Sequence, residues 1–173
     1  MNRKILLGVT GSIAAYKAVE LVRLFVKNGD SVQVVMTEAA TKFVTPLTFQ
    51  TLSRNPVFVD AFAPIAAWKP EHVSLAEAAD VALVAPATAN TLAKMRWGLA
   101  DNLLTETLLA TRAPVFVAPA MNTGMWEAAA TQENLVALKA RGVTVIEPGS
   151  GELACGVTGA GRMAEPEQVF RAI

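Results

Sequence analysis

Three observations predict an α/β protein with an open parallel sheet and helices on both of its faces. Short apolar runs alternate along the chain with longer helical segments, the pattern of successive strand–helix units. The runs are apolar nearly throughout instead of alternating, as strands covered on both faces should be. Where several of the runs end, the chain turns to small hydroxyl, amide and glycine residues.

Lys4 to Val9 is the first strand. The turn Thr10-Gly11-Ser12 leads into a helix from about Ile13 to Lys27, whose Val19, Val22, Leu24, Phe25 and Val26 make a broad apolar stripe, and Gly29 ends it as a left-handed cap. Ser31 to Met36 is the second strand, closed by Thr37 before a helical stretch from Glu38. Pro46 to Ser53 reads as a short helix with proline at its first position. Asn55 to Trp68 reads as an irregular loop with a short strand near Val57–Val59. Ser74 and Glu77 have the spacing of a capping box and predict a short helix beginning after His72. The third main strand is Val81 to Ala85, followed by the turn Pro86 to Asn90 and helical segments to about Thr111. Val115 to Ala118 is the fourth, a helix from Glu127 to Arg141 capped by Gly142 follows, and Val143 to Ile146 is the fifth. Pro148 to Arg162 is a glycine-rich, non-periodic stretch, and a final helix begins near Pro166. With no repeat, linker or low-complexity tract, residues 1–173 are expected to form one domain.

Composition narrows the function. Hydrophobic residues make up 53% of the chain and charged residues 17%, which rules out a disordered chain and suggests apolar surface hidden against other subunits. Fifteen basic and fifteen acidic residues cancel, so no basic field drives nucleic-acid binding. The first apolar run is too short for a signal-peptide core and no run reaches the ~18 residues of a membrane span, so the expectation is a soluble, cytoplasmic protein without a membrane partner. One cysteine and one histidine argue against an internal disulfide and against a Cys- or His-built metal centre.

Ligands of open α/β sheets sit beyond the carboxyl ends of the strands. Four loops occupy that edge: Gly8 to Ser12, Thr37-Glu38, Pro86 to Thr91 and Pro119 to Trp126. Gly8-Val9-Thr10-Gly11-Ser12 follows a strand and opens a helix, so its backbone N–H groups and the Ser12 hydroxyl suit a phosphate. Neither G-x-G-x-x-G nor G-x-x-x-x-G-K-[ST] is present, which favours a monophosphate cofactor over a dinucleotide or a nucleoside triphosphate. Thr88, Asn90 and Thr91 suit a polyol chain, and the same residue types also cap helices well; the pattern leaves both roles open.

Pro119-Ala120-Met121-Asn122-Thr123-Gly124-Met125-Trp126 resembles the P-x-M-N-x-x-M-W motif of the flavin-dependent cysteine decarboxylases. Gly11-Ser12-Ile13-Ala14-Ala15-Tyr16-Lys17 and Ala87-Thr88-Ala89-Asn90-Thr91 resemble that family's FMN loops. Gly151-Glu152-Leu153-Ala154-Cys155-Gly156, running on to Gly159-Ala160-Gly161-Arg162-Met163, resembles the substrate clamp of its phosphopantothenoylcysteine decarboxylase branch. The likeness spans essentially the whole chain, in order.

That resemblance implies a three-layer, flavodoxin-like (Rossmann-like) fold and the FMN-dependent decarboxylation of 4'-phosphopantothenoyl-cysteine to 4'-phosphopantetheine in coenzyme A biosynthesis. Flavin oxidation of the carbon bearing the thiol gives a thioaldehyde, loss of CO2 leaves an enethiolate, and reduction returns the saturated thiol. The FMN-binding residues it implies are Gly11, Ser12, Ile13, Thr37, Pro86, Ala87, Thr88, Ala89, Asn90, Thr91 and Met121. The substrate-binding residues are Asn122, Met125, Ala154, Cys155 and Gly156, and the catalytic ones Cys155, His72 and Asn122, with no metal. Asn122 would hold the departing carboxylate through a neutral amide, since a cation would stabilise the ground state that must be left. Cys155 would protonate the enethiolate, and its thiol, with an ordinary pKa of about 8.5, is mostly protonated at neutral pH. Lys17 and Arg162 are weaker candidates for the substrate phosphate. Family members form homo-oligomers, trimers or dodecamers of trimers, and are often fused to a C-terminal synthetase. The sequence departs from the family pattern at Trp97, where smaller residues are usual. The alternatives are a peptidyl-cysteine decarboxylase of the lantibiotic type, for which Ala154-Cys155-Gly156 is the wrong clamp, and a non-catalytic regulatory subunit, against which the presence of His72, Asn122 and Cys155 together argues.

Overall fold

A computed structural model of the chain describes residues 2–62, 69–152 and 158–173. Its main sheet has six strands, β1 (Lys4–Val9), β2 (Ser31–Met36), β3 (Val57–Phe58), β4 (Val81–Ala87), β5 (Val115–Pro119) and β6 (Thr144–Val145), in the order β3-β2-β1-β4-β5-β6. Every pairing in it is parallel. The order reverses between β1 and β4, and the loops leaving these two strands diverge to open a crevice there.

Helices α1 (Ala15–Lys27) and α2 (Pro46–Ser53) cover one face together with the last helix, α8 (Pro166–Arg171). Ile5, Leu7 and Val9 point into that layer, where they meet Ala18, Leu21, Val22 and Phe25 of α1, Phe49 of α2 and Val169 of α8. The Phe25 and Phe170 rings meet tilted at 59°, with their centroids 5.2 Å apart. The opposite face carries α3 (Glu71–Ala78), α4 (Ala89–Trp97), α5 (Leu103–Ala110) and α7 (Ala129–Ala140). Leu6 and Ala82 pack there against Leu75, Leu103 and Leu104, and Val84 and Val117 against Leu92, Leu135 and Leu138. Alternate residues of each central strand thus fill opposite cores, which explains why the strands read as continuous apolar runs.

The structure departs from the sequence expectations at four elements. The Ser74–Glu77 capping box does not form. Helix α3 starts at Glu71 behind Pro70, so His72 lies in its first turn and Ser74 lies inside the helix, where its hydroxyl donates to the Pro70 carbonyl at 3.3 Å and cannot serve as the N-cap of a box. The helix expected from about Glu127 to Arg141 is α7, beginning at Ala129, and a short helix the sequence did not announce, α6 (Thr123–Glu127), precedes it, the two separated at Ala128, whose extended backbone (ψ 132°) cannot continue a helix. The fifth strand of the sequence reading shrinks to Thr144–Val145. The glycine-rich tail contains an antiparallel pair, β7 (Gly149–Glu152) and β8 (Thr158–Arg162), that glycine content had hidden.

Candidate active site

A cavity of about 570 Å³ opens at the carboxyl edge of the main sheet, in the crevice between the β1 and β4 loops. Its size falls in the range of small-molecule sites. The loop after β1 contributes Thr10, Gly11 and Ser12, and the loop after β2 contributes Thr37, Glu38 and Ala39. The start of α4 supplies Thr88, Ala89, Asn90 and Thr91, and the segment after β5 supplies Ala120, Met121 and Met125. All four loops singled out in the sequence therefore meet at one place.

Thr10 fastens two of these walls together. Its buried hydroxyl donates to the Pro86 carbonyl at 2.6 Å and accepts from the Thr88 amide at 3.1 Å. A third wall is joined on where the Ala120 amide donates to the Ala87 carbonyl at 3.1 Å. Gly11 lets the β1 and β2 loops touch, since a Cβ there would lie 2.5 Å from that of Ala39. The Ser12 hydroxyl accepts from the Ala14 amide at 3.2 Å, shaping the turn that enters α1. Thr88 caps α4 by accepting from the Thr91 amide at 3.3 Å. The two roles the sequence left open thus coincide in space, because this capping turn also lines the cavity.

A further wall, Lys94, Asp101 and Asn102, was not picked out from the sequence. Lys94 Nζ lies 2.8 and 2.7 Å from the two Asp101 carboxylate oxygens, and the Asn102 amide donates to the first at 3.0 Å. The hydrogen bonds from Lys94 hold the Asp101 carboxyl below its ordinary pKa. Asn102 forms a reciprocal capping box with Thr105 at the start of α5. The signal that could have found this wall is the N-x-x-T spacing of Asn102 and Thr105 around the apolar pair Leu103-Leu104.

The other candidates fall elsewhere. Ile13 is exposed beside the cavity, and Pro86 and Ala87, expected in the turn, are instead the buried last two residues of β4. Asn122 caps α6, its side chain accepting from the Gly124 amide at 2.8 Å. His72 faces α5 on the second face of the sheet, with Nδ1 3.5 Å from Glu106 Oε2. Ala154, Cys155 and Gly156 lie outside the described residues. Lys17 is not available to a phosphate. It is buried, and its Nζ donates to the Met163 carbonyl at 2.9 Å and pairs with Glu165 at 3.1 Å. Arg162 meets the other Glu165 oxygen at 3.1 Å. Trp97 is exposed under the Arg96 guanidinium, 4.7 Å from its ring centroid, while Trp126 packs into the core below α7.

A doubly wound parallel sheet with a glycine- and hydroxyl-lined cavity at its switch point belongs to the cofactor-binding α/β proteins. Within that class the chain is a member of the Flavoprotein family, which matches residues 1–173. It is 47% identical over 172 residues to the "Coenzyme A biosynthesis bifunctional protein CoaBC" of Haemophilus influenzae, covering 99% of this chain and 43% of that one. The chain thus spans less than half the length of that relative. It is 46% identical to the "Probable phosphopantothenoylcysteine decarboxylase" of Streptococcus mutans, covering 100% of this chain and 98% of that protein. Among solved structures, a PPC decarboxylase mutant complexed with pantothenoylaminoethenethiol superposes with a TM-score of 0.88 at 35% identity, over 99% of this chain and 96% of that one. The FMN-dependent cysteine decarboxylase SpaF superposes with a TM-score of 0.83 at 30% identity, over 97% and 94% of the two chains.

Proposed function

We propose that residues 1–173 form a single FMN-binding domain that decarboxylates 4'-phosphopantothenoyl-cysteine to 4'-phosphopantetheine. The observation that carries this reading is the convergence of the β1, β2, β4 and β5 loops on one cavity at the switch point, in a chain of the Flavoprotein family. The higher identity to the coenzyme A relatives than to SpaF favours the small-molecule substrate over a peptide.

The lining suits FMN. The tight turn at Gly11-Ser12 and the entry to α1 offer backbone N–H groups and a hydroxyl to a phosphate. Thr37, Thr88, Asn90 and Thr91 supply the ribityl partners, and Ala39, Ala120, Met121 and Met125 offer apolar wall to a flat ring. When bound, the flavin supplies the reversible oxidation of the thiol-bearing carbon that turns a carboxylate with no electron sink into one that can lose CO2.

The chain's own groups do the rest. Asn122 holds the substrate carboxylate by its amide without pinning it as an ion pair would. Cys155 delivers the proton that the enethiolate takes up after CO2 has left. His72 does not line the cavity of its own chain, so its part in the reaction calls for a second copy to bring it to the site. That agrees with assembly as a trimer, or as trimers within a dodecamer. Exposed Ile13 and Tyr16 at the entry to α1, and Phe43 and Leu47 beyond β2, would be covered in such an assembly. In bifunctional relatives a fused synthetase would supply the substrate on the same chain.

An absorption spectrum of the purified protein, followed by CO2 release from the substrate, tests the proposal. Flavin bands at about one FMN per chain together with CO2 release support it. A protein that neither carries nor takes up FMN would overturn it.

A further inference from the structure

Strand β8 packs against the segment after β5 almost backbone to backbone. The Met121 amide donates to the Gly161 carbonyl at 3.0 Å, and the Thr123 hydroxyl donates to the Ala160 carbonyl at 2.8 Å. Asn122 therefore sits between two residues that are each tied to β8. Neither of two glycines of β8 has room for a side chain. A Cβ at Gly161 would lie 2.4 Å from the Met121 carbonyl oxygen, and one at Gly159 would lie 2.4 Å from Thr123 Oγ1 and 2.9 Å from its Cγ2. Gly161 is also the extra residue of the β7–β8 register shift and has a φ of +117°, so it is glycine for two reasons. Gly159 has no such backbone demand. The three atoms nearest to a Cβ placed there all belong to the Thr123 side chain.

The hairpin is also tied at its foot. Glu165 grips Arg162 at the foot of β8 with one oxygen and Lys17 of α1 with the other, both at 3.1 Å, and Lys17 also holds the Met163 carbonyl at 2.9 Å.

We propose that Thr123 and Gly159 are a pair of positioning residues that place the Asn122 amide for the reaction. Thr123 fills the space that Gly159 leaves bare, and this contact fixes the register of the Asn122 turn against β8. The inference rests on the decarboxylase reading for its catalytic consequence. The packing itself stands on the structure alone.

The test moves one methyl group across the contact. Gly159→Ala is expected to lower kcat per bound flavin by about 100-fold, the size of effect an ångström of misplacement produces, with flavin content unchanged. Thr123→Ala removes the hydroxyl tie and lowers kcat less. The double variant Thr123→Ala/Gly159→Ala gives the new methyl the vacated space and is expected to recover at least about tenfold over Gly159→Ala alone. Amide hydrogen exchange over Met121–Trp126 supplies a readout that needs no turnover, rising in Gly159→Ala and falling again in the double variant. A double variant no better than Gly159→Ala by either readout overturns the proposal. So does a loss of melting temperature and flavin content with kcat per bound flavin unchanged, the mark of a merely structural contact. A wild-type protein that releases no CO2 while the exchange pattern is recovered would instead sink the decarboxylase reading and leave the packing relation standing.

Discussion

Asn122 caps α6 and is proposed to hold the substrate carboxylate, two jobs that one substitution can separate. Its side chain caps α6 by accepting from the Gly124 amide, and aspartate caps a helix N-terminus as well as asparagine does. Asn122→Asp should therefore leave thermal stability and flavin content as they are. It places a negative charge where the proposed function seats the substrate carboxylate, and decarboxylation should fall by about 100-fold or more, the scale of losing a directed hydrogen-bond donor in a site. Flavin-normalised rates decide it: an unaffected rate makes Asn122 a cap and nothing else. Cys155→Ser is expected to retain FMN and to accumulate the oxidised intermediate, because a serine hydroxyl is a far weaker acid than a thiol. Ordinary turnover in that variant would remove Cys155 from the proton-donor role.

Lys17 makes its case at the scale of elements. It is 3% exposed and bridges α1 to the segment entering α8 through the Met163 carbonyl and Glu165. Lys17→Met keeps the apolar stem and leaves the buried carbonyl without its donor, a loss of about 1–3 kcal/mol. Denaturant midpoints should show it while substrate KM stays put. The opposite result, a KM effect with stability unchanged, would return Lys17 to the phosphate site suggested by its place in the sequence. The same segment shows how glycine works in a strand. Gly159 and Gly161 weaken β8 in the propensity sense, yet they admit Thr123 and Met121 to a distance no other residue would allow.

Across the whole molecule, Arg3 gathers distant parts of the chain. Its backbone amide, Nε and Nη2 all reach the Asp30 carboxylate at 2.9–3.2 Å, and Nη1 donates to the Ile173 carbonyl at 2.6 Å. Burial alone would raise the Asp30 pKa, but the hydrogen bonds from the Arg3 side chain, Asn28 and the Arg3 amide outweigh it and hold the carboxyl below its ordinary value. The folded chain then binds that proton less readily than the unfolded one. The resulting stability is complete above the ordinary carboxylate range and is lost as pH falls through the lowered pKa. Urea midpoints between about pH 2 and 5 should accordingly fall less steeply for Asp30→Asn than for the wild type. Sedimentation tests the assembly: a mass of three chains, or a multiple of three, is expected, and a monomer that turned over normally would refute a site completed by a second copy.

The sequence by itself determined the layers, the main strands and the location of the cavity. Strands buried on both faces must be continuously apolar, so small polar and glycine residues are left to the loops at the sheet edge, where ligands bind. It also displayed the Met121-Asn122 motif through which the family can be recognised. What only the tertiary structure decided depends on partners far apart in the chain. Lys17 reads as a loop cation until Met163 and Glu165 are packed over it, and Lys94, Asp101 and Asn102 become a cavity wall only when α4 and α5 meet at the switch point. Strand β8 has no hydrophobic period to read, because its glycines answer to contacts with Met121 and Thr123, some 40 residues away. Local pattern records what a residue must bury, and close approach between distant backbones leaves no such record beyond the absence of a side chain.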